Sequence, residues 1–135
     1  LNVLNNQPAT NGNANVVQCA IKQLGKPYAR NTAGPNSFDN GGLPFYCYQQ
    51  AGISIPRSLI NACYYGKAVP AADRKPGDLL CMVDKSRNLP FYVAIITSLD
   101  ESITVTEVIG HVTKQKYDND HPDPMSNVVA KYVTY

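Results

Sequence analysis

The apolar residues of this chain change their period once, near Gly66, and that change limits the fold more than any other feature. Before it they recur every three to four positions, as one face of a helix requires; after it they alternate, as a half-buried strand requires. Val16, Val17, Ala20, Ile21 and Leu24 predict a first helix, capped by Asn13 or Asn15 and ended at Gly25, with Pro27 preventing continuation. Tyr28 to Phe38 carries Asn31, Gly34, Pro35 and Asn36 and reads as loop. A second helix is expected from about Asn40 to Gln50, with Pro44 near its first turn, where a missing N–H costs little. Ser58 caps a third, Leu59 to Tyr65.

The alternating half predicts strands at Leu79 to Val83, Phe91 to Thr97, Ile103 to Val108, His111 to Tyr117 and Val128 to Tyr135. The second and third form a hairpin tipped by Leu99 to Ser102. Helices first and antiparallel strands after make the chain α+β, with helices packed on a mostly antiparallel sheet of about five to six strands. Residues 1–12 are polar, Asn-rich and aperiodic, an extended or disordered lead-in to a single domain over 13–135.

The charge balance is +2, and no Lys/Arg run forms a stripe, so nothing argues for a nucleic-acid partner. No apolar run approaches membrane-spanning length. The first residue is Leu rather than Met, so a processed chain is expected; no signal peptide is visible, and a secreted or extracellular location is an expectation beside it. Cys19, Cys47, Cys63 and Cys81 each fall on an apolar face; buried thiols and at least one disulfide are equally open. None sits in a C-x-x-C spacing, so a metal site is not expected. The polar loop Asp118 to Asp123 is the sole alternative, and it lacks the spacing and glycine of a calcium loop. No cofactor is implied, and a monomer is expected.

Gly25 to Tyr28 (GKPY), Gly34 to Asp39 (GPNSFD), Gly42-Leu43, Tyr48 to Ser58 (YQQAGISIPRS) and Pro76 to Leu80 (PGDLL) together resemble the NlpC/P60 family of papain-like cysteine peptidases. The resemblance implies the papain-like fold and peptidoglycan stem peptides as ligands. The family's nucleophile motif runs Asp-Cys-Ser-Gly-Leu; here the run is Asp39-Asn40-Gly41-Gly42-Leu43. Aligned on the family's histidine strand, Tyr92 stands where the base would be, and counting back through the hairpin brings Thr106 opposite it, with Glu107 beside it. An amide is no nucleophile, and a phenol is a poor base at neutral pH. Asn40 is then expected to act only as a helix cap.

On these residues the chain is expected to be no enzyme, a degenerate relative with no intact catalytic residue that binds a cell-wall peptide or a protein surface. Two rivals stand: a hydrolase with a relocated nucleophile, for which Cys47 is the nearest thiol, and a secreted structural or immune-interacting protein with an idle groove. Tyr28 and Asp39 match family residues that line the cleft, the aspartate helping to hold a free amine. Arg30, Gly41, Glu107 and His111 complete the candidate binding set. Arg30-Asn31-Thr32 replaces the family's aromatic-Gly-Gly, a bulkier and more polar floor.

Overall fold

A computed structural model describes residues 11–117 and 126–135. Three helices precede the sheet: α1 (Asn11–Lys22), α2 (Gly42–Gln50) and α3 (Leu59–Tyr65). Six strands follow: β1 (Lys67–Val69), β2 (Leu79–Asp84), β3 (Leu89–Ile96), β4 (Glu101–Thr104), β5 (Thr113–Lys116) and β6 (Val128–Thr134). They form one sheet in the order β1-β6-β2-β3-β4-β5, every pair antiparallel. The α+β class and the helix positions agree with the periodicity. Residues 118–125, and with them His121 and the candidate cation loop, lie outside the described residues, as do residues 1–10.

Several boundaries moved. Helix α1 starts at Asn11, two residues before the earlier of the expected caps. Strand β1 was not foreseen, because three residues carry too little pattern to read. The hairpin tip is Ser98 to Asp100, closed by Thr97 and Ser98 N–H groups donating to the Glu101 carbonyl. Strand β4 ends at Thr104 rather than Val108, because the ladder between β3 and β4 opens after Ile95 and Ile103.

The helices cover one face of the sheet. Val16 and Ala20 of α1, Leu43, Cys47 and Tyr48 of α2, and Ala62 and Cys63 of α3 meet Leu79, Cys81, Val93, Ile95, Ile103 and Val133. Tyr48 is buried in this layer and donates its hydroxyl to the Gly77 carbonyl, which satisfies a polar tip in an apolar setting. A disulfide joins Cys63 of α3 to Cys81 of β2 and ties the helix layer to the sheet. Cys19 and Cys47 are free and buried, so the choice left open by the sequence resolves to one disulfide and two thiols. The alternate residues of the same strands, Leu80, Ala94, Ile96 and Tyr132, form a smaller cluster on the opposite face, with Tyr92 packed against it.

Candidate functional site

A cleft of ≈590 Å³ opens where the 28–41 loop meets the start of α3. Tyr28, Arg30 and Asn31 of the loop, Asp39, Asn40 and Gly41 at the entry to α2, and Arg57, Ser58 and Leu59 at the start of α3 line it. The loop is pinned by backbone bonds: Tyr28 N–H donates to Gly110, Ala29 N–H to Phe38, and Asp39 N–H to Thr32, at 2.9, 3.2 and 2.8 Å. Asn31 takes a φ of 62°, a left-handed turn that asparagine tolerates. Gly41 must be small, since a Cβ there would lie 2.9 Å from the Leu59 backbone nitrogen.

Two neighbours at the entry to α2 face different ways. Asp39 caps the helix, its Oδ1 accepting the Gly42 N–H at 2.7 Å. It also receives Arg57 in a two-pronged ion pair, Nη1 to Oδ1 at 3.1 Å and Nη2 to Oδ2 at 2.7 Å. The Arg57 guanidinium lies 5.9 Å from the Phe45 ring centre, over its face. Asp39 and Tyr28 therefore line the cleft, but the Asp39 carboxylate is already engaged. Arg57 itself was missed. It lies within YQQAGISIPRS, but an ion pair 18 residues apart leaves no periodic trace in the sequence.

Asn40 is not the cap. Its side chain turns into the body, where Oδ1 accepts the Val93 N–H at 2.8 Å. Its Nδ2 donates toward the carbonyls of Val93 and Val105, at 3.2 and 2.7 Å, and the Thr104 hydroxyl at 3.2 Å. Strand pairing stops at Ile95 with Ile103. Continued at that register it would set Val93 against Val105 and, one residue further, Tyr92 against Thr106. The carboxamide enters at that opening and bonds groups that a neighbouring peptide unit would otherwise serve.

The expected facing of Asn40 by Tyr92 and Thr106 is not what the strands produce. Tyr92 lies on the face away from the helices, its hydroxyl donating to Gln115 Oε1 at 3.3 Å. Burial raises its phenol pKa, and the Thr104 hydroxyl offsets that in part. The Thr106 hydroxyl accepts the Ile109 N–H at 3.1 Å and its carbonyl the Gly110 N–H at 2.8 Å, closing a turn beyond the strand. Glu107 is not among the residues that line the cleft, but it pairs with Arg30 at 3.4 Å, both side chains largely exposed. His111 is exposed, its backbone bridged to Pro27, and it does not line the cleft. Cys47 is fully buried; its hydrogen bond with Cys19, and then desolvation, push its thiol above the ordinary thiol range. Among the described residues no group of His, Cys, Asp or Glu is placed to hold a metal.

The family model for NlpC/P60 matches residues 25–126. The chain belongs to the NlpC/P60 family. A probable endopeptidase of Mycobacterium tuberculosis is 38% identical over 78 residues, covering 58% of this chain and 20% of that protein. A gamma-DL-glutamyl hydrolase of Bacillus subtilis is 32% identical over 88 residues, covering 61% of this chain and 21% of that protein. The chain thus spans about a fifth of the length of these relatives. RipD of M. tuberculosis, a non-catalytic NlpC/p60 domain protein adapted to a peptidoglycan-binding function, superposes with a TM-score of 0.73 at 19% identity. That match covers 91% of this chain and 96% of RipD, and it shows the shared papain-like fold.

These relatives correct one expectation. The chain was read as no enzyme on the loss of the cysteine and histidine, but its sequence relatives are named as an endopeptidase and a hydrolase, which points to an enzyme. Among the described residues no helix is long and apolar enough to cross a membrane.

Proposed function

We propose that the cleft binds short peptides of the peptidoglycan type and that the protein works outside the cytoplasm. The observation that carries this reading is the open cleft itself. It has the volume of a small-molecule site, an aromatic wall in Tyr28 and three charged groups in Arg30, Asp39 and Arg57. Family membership supplies the ligand class. The Cys63–Cys81 bridge supports an oxidising compartment, where such bonds persist.

The names of the sequence relatives favour a second reading, in which the bound peptide is also cut. Asn40 offers an amide whose polar atoms are committed to strand groups, so attack on a peptide carbonyl would draw on another group. One sample tests both readings. A muropeptide-like tripeptide is titrated into labelled protein while amide shifts of Tyr28, Asp39 and Asn40 are followed, and the same solution is then examined by mass spectrometry. Saturable shifts with a dissociation constant of about 1 mM are expected, because half-exposed charge pairs contribute little. Unmoved cleft amides at saturating peptide would sink the binding reading; fragments that scale with protein concentration would establish hydrolysis.

A further inference from the structure

The charges of the cleft are not equally available, and that inequality selects a ligand. Asp39 already accepts three hydrogen bonds, one from Gly42 N–H and two from Arg57. Its negative charge is matched by a guanidinium at 2.7 Å, so an incoming ammonium would have to compete with Arg57 for it. Arg57 spends two N–H groups on Asp39; its Nε and the second hydrogens of both terminal nitrogens have no protein partner among the described residues. Arg30 is 77% exposed at the side chain, and among the described residues its side chain bonds Glu107 alone, at 3.4 Å. Its backbone, in contrast, sits in the pinned 28–32 turn, which holds the base of that side chain beside the cleft. Two guanidiniums and one carboxylate line the cleft, with Glu107 paired to Arg30 beside it, and the hydrogen-bonding capacity these groups leave unspent is mostly donor.

We propose that the cleft selects peptides by a carboxylate, received by Arg30 and Arg57, rather than by an ammonium offered to Asp39. Glu107 is then an internal competitor that occupies Arg30 when no ligand is bound. This rests on the reading of the cleft as a peptide site and names the group that the site reads. Arg30 is a specificity residue, since the bidentate geometry of guanidinium and carboxylate needs the fork that a lysine lacks.

Three probes at low salt separate the possibilities: N-acetyl-alanyl-glutamate, its diamide N-acetyl-alanyl-glutamine amide, and alanyl-glutamine amide with a free ammonium. Cleft amide shifts are expected to give about tenfold tighter binding of the dicarboxylate than of either amide, the size of one charge-assisted hydrogen bond. Arg30→Gln should remove most of that preference, and Arg30→Lys should restore only part of it. Glu107→Gln should move it the other way, tightening the dicarboxylate a few-fold while leaving the diamide unchanged. Both residues are exposed, so these variants keep the fold. Equal binding of diamide and dicarboxylate, tighter binding of the ammonium-bearing peptide, or weakening by both Arg30→Gln and Glu107→Gln overturns the carboxylate preference alone. If no probe moves a cleft amide, the peptide reading of the cleft fails and the preference falls with it.

Discussion

The two faces of the sheet are built from alternate residues of the same strands, yet they are held in different ways. On the covered face, helices are fastened to strands by specific bonds. The Cys63–Cys81 bridge joins α3 to β2, and Asn40 joins the entry of α2 to Val93, Thr104 and Val105. On the other face, Leu80, Ala94, Ile96 and Tyr132 are covered by side chains from loops and edges, among them Arg74 lying 5.5 Å over Tyr132 and 5.6 Å over Tyr117. One face is cross-linked between layers; the other is packed within a single layer. The site belongs to the first kind, which is why the side chains of Asp39 and Asn40 are committed within the protein while the guanidiniums keep donors to spare.

The largest effect should come from cutting the covalent link. Replacing both Cys63 and Cys81 with Ala opens a loop of sequence separation 18. A closed loop of that size contributes about 3 kcal/mol, chiefly through the unfolded chain, so chemical denaturation should show a loss near that size. Next comes the hydrogen-bonded link. Asn40→Ala removes the carboxamide from the strand opening and leaves the Val93 N–H and the Val105 carbonyl to find water or nothing. A loss of about 2 kcal/mol is expected, with amide exchange of Val93 accelerated more than that of Ile95, whose ladder is intact. A loss below about 0.5 kcal/mol would mean that the strands close on themselves when the amide is gone.

The sequence made part of this legible. The single switch of period gave the layers; Tyr92 opposite Thr106 lies on the register that Ile95 with Ile103 extrapolates to, although the tip sits at Ser98 to Asp100 rather than Leu99 to Ser102 and the ladder stops short of both residues. It did not show that the ladder opens just there, where Asn40 bonds Val93, Thr104 and Val105 from 53, 64 and 65 positions away in the chain. Matching Tyr92 to the family's histidine chose a position in a string; the sheet's period of two chose the face. Val93 and Ile95 were readable as core, and that alternation already put Tyr92, Ala94 and Ile96 on the opposite side. Asp39 was legible as a cleft residue and as a helix-terminal carboxylate, but its partner Arg57 was not, for want of any local pattern linking them.

The smallest effect probes the face away from the helices and a contact that crosses between the two. Tyr92→Phe deletes a hydroxyl that makes a long bond to Gln115, so at neutral pH the stability should fall by under about 1 kcal/mol. Burial raises the phenol's pKa in the folded protein above its unfolded value. The folded state therefore favours the protonated phenol; this contribution is complete below the unfolded pKa of about 10 and is lost as pH rises through the folded value. Wild type should lose stability between neutral and strongly alkaline pH by more than Tyr92→Phe does, and the small neutral-pH difference should narrow or reverse. The cleft should respond weakly, because Thr104 connects the two faces: its hydroxyl accepts from Asn40 and interacts with the Tyr92 phenol. Amide shifts of Gln115 and Thr104 are expected to move in Tyr92→Phe, while peptide affinity at Tyr28, Arg30 and Asp39 stays within about twofold. If peptide affinity drops as far as in Arg30→Gln, Tyr92 acts through Thr104 and Asn40 on the cleft, and the two faces work as one site.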